Sequence, residues 1–175
     1  MNVNEFLSGY PSIQRRSISL NRGEFLIRQG EVEKEIYFVH SGAIHAFYVS
    51  DHEEHTIRFG YKDSLMTSIP SFYNGEPSQL YLQAIRKTEL TAYSRQSFFE
   101  ELKHSEELMA FYLTSLEQLA AQQMERELDL LTSSPHERIQ RVLKRSPQVF
   151  QEIPSKYIAS YLRMTPETLS RILNS

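Results

Sequence analysis

Residues 154–173 run Pro154-Ser-Lys-Tyr-Ile158-Ala-Ser-Tyr-Leu162-Arg-Met-Thr165-Pro-Glu-Thr-Leu169-Ser-Arg-Ile-Leu173. Thr165 is a strong N-cap, Pro166 suits a first helical position and Glu167 complements the helix dipole, so a helix starts here. A shorter helix precedes it, and Arg163-Met164 makes the tight turn between them. Counting Ser155 as the first position, apolar residues fall at the fourth (Ile158), eighth (Leu162), tenth (Met164), fifteenth (Leu169) and eighteenth (Ile172). The fifth is Ala159, where two steeply crossing helices leave no room for a larger side chain. This is the pattern of a helix-turn-helix. Its usual turn glycine is replaced by Arg163, which costs about 1 kcal/mol if that residue is left-handed.

An αα-hairpin that merely packs would explain the apolar positions but not the polar outer face of the second helix. That face presents Thr165, Glu167, Thr168, Ser170 and Arg171. Arg hydrogen-bonds guanine bidentately and Glu accepts from cytosine N4, so Glu167, Ser170, Arg171 and Thr168 are candidate base readers in a DNA major groove. Lys156, Thr165, Arg163, Lys144 and Arg145 are candidate phosphate contacts. The charge distribution agrees. The 175-residue chain carries a net −3, which alone argues against nucleic acid, but residues 1–135 hold 12 Lys/Arg against 19 Asp/Glu, while residues 136–175 hold 7 against 3. A segment of net +4 follows a body of net −7.

Moving toward the N-terminus, Ser134-Pro135-His136-Glu137 starts a helix with a cap, a first-position proline and a capping box. Its buried face is Ile139, Val142 and Leu143, and Ser146-Pro147 ends it. From Ser105 to Thr132 no helix breaker occurs. Apolar residues recur at spacings of three and four, so one helix of about 25 residues, ~38 Å long, is expected. A helix this long beside a small β domain either packs only along its own domain or, the reading favoured by Ala120, Gln122 and Gln123, meets a partner along its exposed stripe. Met109, Tyr112, Leu116, Leu119 and Gln123 are the candidate homodimer contacts, in a coiled-coil-like pairing.

All six glycines lie within the first 75 residues. There, β-prone runs alternate with turn signals: Phe25 to Ile27, Ile36 to Val39, Ala43 to Ser50, Thr56 to Phe59, Leu80 to Ile85 and Leu90 to Tyr93. Short strands at this spacing indicate a sandwich, barrel or roll. Leu80-Tyr-Leu82 is continuously apolar, as in a strand buried on both faces. Asp51 to Glu54 is a polar turn, and Val3, Phe6, Leu7 and Tyr10 suggest a short helix. The expected fold is α+β: an antiparallel β-roll over 1–104, a dimerisation helix over 105–132 and a helix-turn-helix module over 133–175.

The chain as a whole resembles the Crp/Fnr family of bacterial transcription regulators. Gly23-Glu-Phe-Leu-Ile-Arg-Gln-Gly30 and Ile36-Tyr-Phe-Val-His-Ser-Gly42 are similar to the opening strands of that family's cyclic-nucleotide-binding-like roll. Residues 153–162 and 165–171 are similar to its helix-turn-helix. The resemblance implies a homodimer joined along the long helix, double-stranded DNA bound in successive major grooves, and a shift in the orientation of the recognition helices when an effector binds. The family's base-reading positions fall on Pro166, Glu167 and Arg171. RNA polymerase is a further candidate partner.

Two departures stand out. Nucleotide-binding members carry Gly-Glu, which holds the ribose, and about ten residues later an Arg that neutralises the cyclic phosphate. Met66-Thr67 and Pro77-Ser78 stand at those places, and no basic residue occurs between Lys62 and Arg86. Met66, Thr67, Ser68, Ser78 and Gln79 remain the candidate effector pocket, but cyclic AMP is expected to bind poorly or not at all, since a buried phosphate would lack its counter-charge. The β-hairpin wing that normally follows the recognition helix is also expected to be absent.

Other function classes find little support. No cysteine occurs, which excludes disulfides, thiol catalysis and Cys-ligated metal. His45, His52 and His55 lie close in sequence, but two sit in the polar turn region and no zinc spacing is present. No catalytic constellation or phosphate loop appears, so neither enzyme activity nor a cofactor or metal is expected. The longest apolar run is six residues, too short for a membrane span, and the N-terminus lacks signal-peptide character, so a cytoplasmic protein is expected. The competing reading is a ligand-binding or protein-interaction module whose helix-turn-helix is vestigial.

Overall fold

The computed structural model describes residues 3–174. The chain forms two compact units, residues 1–106 and 107–175.

The first unit opens with helix α1 (Val3–Ser8) and continues with strands β1 (Arg15–Leu20), β2 (Phe25–Ile27), β3 (Glu35–Ser41), β4 (Ala43–Ser50), β5 (Glu53–Tyr61) and β6 (Leu65–Met66). Helix α2 (Ile69–Asn74), strands β7 (Tyr81–Ala84) and β8 (Thr88–Ser94), and helix α3 (Arg95–Leu102) follow. The strands make two antiparallel four-stranded sheets, ordered β1-β8-β3-β6 and β2-β7-β4-β5. Apart from the β4–β5 hairpin, which stays within the second sheet, consecutive strands pass from one sheet to the other, as in a roll. Gly42 allows the sharp passage from β3 to β4: its φ is +88°, and any side chain there would collide with the Lys87 carbonyl and Thr88. The interior is filled by Leu20, Ile27, Tyr37, Val39, Ile44, Ala46, Met66, Leu82, Ala84, Leu90 and Ala92.

Several sequence expectations need correction. Tyr81 and Leu82 of the Leu80-Tyr-Leu82 run open β7, which is not buried on both faces: Leu82 and Ala84 are buried while Tyr81 and Gln83 are half-buried. The apolar ring of Tyr81 stacks on Phe47 instead of entering the core (5.1 Å between centroids). The 51–54 turn is shorter than expected. Asp51 and His52 take positive φ (54° and 65°), and Glu53 already begins β5. Strand β1, whose exposed Arg and Ser residues hide its pattern, and the short α2, α3 and β6 were not anticipated.

The second unit is helical: α4 (Glu106–Leu131) starts at the unit boundary, and α5 (Pro135–Arg145), α6 (Pro147–Glu152), α7 (Ser155–Tyr161) and α8 (Pro166–Leu173) follow. Ser134 caps α5 by accepting from the Glu137 amide at 3.3 Å, and Pro135 occupies its first turn. Pro147 does not simply terminate this region but opens the additional turn α6. Ile139, Val142, Val149, Ile153, Ile158, Ala159, Leu162 and Leu169 are buried. No described helix is long and apolar enough to cross a membrane.

Candidate functional site

Helices α7 and α8 are joined by the turn at Leu162 to Met164. The Met164 amide donates to the Ala159 carbonyl at 3.0 Å and the Arg163 amide to Ser160 at 3.1 Å. Ala159 and Leu169 are fully buried, which meets the requirement for a small residue where the two helices touch. Arg163 takes the left-handed conformation, with φ of 55°. Thr165 Oγ1 accepts from the Thr168 amide at 3.2 Å, so the cap at the start of α8 is formed. The Glu167 backbone amide and the Thr165 hydroxyl hold the Glu167 carboxyl below the usual carboxylate range. Glu167 and Arg171, one turn apart, share an exposed face of α8 with Ser170. Thr168 is half-buried, and its hydroxyl accepts a hydrogen bond from Thr165, leaving it the least available of the four candidate readers.

The cations of this unit fall into two sets. Lys144, Arg163 and Arg171 are exposed and make no side-chain hydrogen bond or ion pair among the described residues. Exposed Lys156 rests its ammonium 4.5 Å from the Tyr157 ring centroid. Arg145, also an expected phosphate contact, belongs to the other set, with its guanidinium already paired within the chain. Its guanidinium bonds Asp129 Oδ2 at 2.5 Å and Oδ1 at 3.2 Å, and Glu125 at 3.4 Å. Hydrogen bonding to Asp129 raises the Arg145 pKa above its ordinary value. Arg141 joins the same carboxylates, at 2.8 Å to Asp129 and 3.1 Å to Glu125. Asp129 is 1% exposed while Arg141, Arg145 and Glu125 keep 37%, 28% and 47% exposure, so a buried carboxylate is met by cations reaching in from the surface, a cluster the sequence does not signal. Its partners lie 12 and 16 residues apart, on different helices, with no local spacing to reveal them. Two of the cations counted in the +4 segment are thus neutralised by acids N-terminal to it, leaving an effective surplus of +2.

Along α4, the candidate dimer residues separate into two groups. Met109 and Gln123 are exposed, whereas Tyr112, Leu116 and Leu119 are half-buried within the chain itself. The apolar residues facing solvent also include Leu113 (52% exposed), Met124 (58%), Leu128 (44%) and Leu131 (80%). With exposed Ala120 they continue a stripe at spacings of three, four and seven, of which Met109 is the one member among the expected dimer contacts.

In the roll, the five candidate effector residues sit in the β6–α2 and α2–β7 segments. Four of them turn inward or bond to the chain. Met66 is in the core, packed where a side chain at Gly60 would otherwise stand. Thr67 donates its hydroxyl to the Glu35 carbonyl at 2.9 Å. Ser68 and Ser78 are buried and share a 2.6 Å hydrogen bond, and Ser78 also donates to the Leu80 carbonyl. Gln79 alone is exposed. Sequence reasoning missed the group at the centre of this region, Glu33, which is 2% exposed. Its Oε1 accepts from the amides of Lys34 (3.0 Å) and Glu35 (3.1 Å) and from the Tyr37 hydroxyl (2.9 Å), while Oε2 faces the Ser68 amide at 3.5 Å. Its own amide donates to Ser71 Oγ at 2.8 Å. Burial pushes the Glu33 carboxyl above its ordinary pKa, against the lowering effect of these donors. No signal in the sequence separates Glu33 from the exposed acids around it.

Arg95 fixes α2 from the opposite end, donating to the carbonyls of Phe72 and, at 3.1 Å, Tyr73. His45 is buried, stacked on Phe47 and bonded to Gln83, and His55 lies against Tyr48. Among the described residues no three His, Asp or Glu side chains are grouped as metal ligands.

Comparison with known proteins places this geometry. FixK2 from Bradyrhizobium japonicum superimposes with a TM-score of 0.78 at 18% identity, covering 92% of this chain and 83% of that one. A CooA mutant from Carboxydothermus hydrogenoformans gives 0.75 at 14% identity, covering 99% and 83%. The catabolite activator protein of Thermus thermophilus gives 0.56 at 24% identity, covering 99% and 81%. At these identities the likeness is one of fold, the fold of Crp/Fnr regulators. No curated protein matches the chain by sequence. Residues 17–105, just over half the chain, match the family described as cyclic nucleotide-binding domain, and the chain belongs to that family.

Proposed function

We propose that the protein is a DNA-binding transcription regulator that acts as a homodimer. The observation that carries this reading is the sorting of cations in the helical unit. Arg145 and Arg141 are spent on an interior carboxylate, yet Lys144, Lys156, Arg163 and Arg171 remain exposed in the unit that holds the capped, polar-faced α8. A hairpin built only for packing has no use for that arrangement. Arg171 and Glu167 are the base readers with the most freedom, Ser170 reads beside them, and Thr168 contributes mainly through its place in the cap. Lys144, Lys156, Arg163 and the Thr165 end of α8 take phosphates. The stripe of Met109, Leu113, Ala120, Met124, Leu128 and Leu131 covers itself against a second copy, which sets the two recognition helices for paired half-sites. The structural neighbours, Crp/Fnr regulators by fold, support the same reading.

The roll is proposed to answer to an effector other than cyclic AMP. The hydroxyls of Thr67, Ser68 and Ser78 are bonded within the chain, and the Glu33 carboxyl faces the Ser68 amide at 3.5 Å. A cyclic phosphate would meet a carboxyl in place of an arginine. Calorimetry is expected to show no cyclic AMP binding below millimolar concentration, and low-micromolar binding would overturn this part. Gel shifts of the full chain against random duplexes test the DNA reading, with retention that weakens steeply as salt rises expected. The absence of any salt-dependent complex would favour an interaction module with an inactive helix pair.

A further inference from the structure

We infer that Arg138 is a positioning residue, which ties the turn of the helix-turn-helix to the end of the long helix. Arg138 lies on α5, and its side chain reaches two helix ends at once. Nε and Nη2 donate to the Thr132 carbonyl, just beyond the end of α4, at 3.2 and 2.9 Å. Nη1 donates to the Leu162 carbonyl at 2.5 Å and lies 3.4 Å from the Arg163 carbonyl. Both targets are carbonyl ends of helices, where the backbone dipoles concentrate negative potential and acceptors lack intrahelical donors. The planar fork of a guanidinium can serve two such ends together, whereas an ammonium is a single point.

The Arg163 carbonyl matters because Arg163 is the residue held at positive φ where a glycine would be unstrained. Arg138 thus bears on the least favourable backbone of the motif. Two further attachments run in the same direction. Asp129 of α4 holds Arg141 and Arg145 of α5, and the Arg126 guanidinium of α4 stands 4.8 Å from the Tyr161 ring centroid on α7. All three originate in the last two turns of α4 or just past them, and all lie in the unit that begins at residue 107. The helix pair is therefore carried by α4 as one piece, without a loose joint between α4 and α5. The consequence for DNA reading rests on the function proposed above, but the tie itself does not.

Hydrogen exchange on the full chain, without DNA, tests the tie. In Arg138→Gln the amides of residues 162–165 are expected to exchange about tenfold faster or more, while residues 17–94 keep their protection. Arg138→Lys is expected to behave like the glutamine variant, because the charge without the fork cannot span both carbonyls. Adding Arg163→Gly to Arg138→Gln removes the strain that the tie resists, and is expected to return the turn to within about threefold of the parent. Unchanged exchange at 162–165, full rescue by lysine, or a uniform rise over 107–174 would each overturn the inference, the last because it marks general loosening. If the parent chain binds no duplex while these exchange effects hold, the proposed function falls and the tie stands. If duplexes bind and the exchange effects are missing, the reverse follows.

Discussion

Asp129 holds its carboxylate in the interior, and the order of the losses when it or its arginines are removed tests that burial. The carboxylate is 1% exposed, while the Arg141 and Arg145 side chains are 37% and 28% exposed. Removing one partner of a buried pair costs about 3–5 kcal/mol when the other is left desolvated. In Asp129→Asn the abandoned arginines can rehydrate and still keep Glu125, so the loss should be lower, about 2–3 kcal/mol. Arg145→Gln leaves Arg141 at 2.8 Å from Asp129, and should cost only about 1–2 kcal/mol. Arg141→Gln with Arg145→Gln leaves Asp129 buried without a cation, and should reach the full 3–5 kcal/mol. Urea titration followed by far-ultraviolet circular dichroism measures the loss, with hydrogen exchange assigning it to residues 107–174. Salt should weaken the Glu125 contacts, whose partners are all partly exposed, more than the bonds to the buried Asp129 carboxylate. A double-arginine variant no less stable than Asp129→Asn, or an Asp129→Asn loss under about 0.5 kcal/mol, the scale of an exposed pair, would refute the reasoning.

Glu33 gives a pH dependence. Its carboxyl is held above its ordinary pKa by burial, so it contributes stability that is full below the unfolded value and is lost as pH rises through the folded one. Glu33→Gln should flatten the stability profile of the roll across that window, and an identical profile would count against the buried-acid account. Leu113→Glu with Leu128→Glu should turn a dimer into a monomer in sedimentation while leaving the helical signal unchanged, whereas a variant that stays dimeric would place the interface elsewhere. Arg171→Ala should relax sequence preference by about 1–3 kcal/mol at its base pair. Lys156→Ala should weaken all duplexes alike and reduce the salt slope by about one.

The helix pair was legible because its signals are local. Thr165, Pro166 and Ala159 each act within a turn of themselves, and the left-handed Arg163 follows from the missing glycine. The long helix was legible to within a residue at each end, since Ser105 to Thr132 contains no breaker. The strand β4 likewise matched its apolar run. What the sequence concealed is non-local. Glu33 resembles any surface acid until Tyr37 and the Ser68 amide are brought to it across 4 and 35 residues. Arg145 looked like a phosphate contact because its partner, Asp129, lies on another helix. On α4 the period admits Tyr112 and Leu119 as readily as Leu113 and Met124, and only the folded helix separates the half-buried pair from the exposed one.

The proposed regulator reads DNA in pairs through the capped α8 of each copy. Selection of random duplexes by the full chain, repeated at rising salt, tests it most directly. The account predicts an enriched two-fold site whose half-sites lie about one helical turn apart, ~34 Å, with affinity falling linearly in log salt. No enrichment and no salt-dependent retention of any duplex would contradict it.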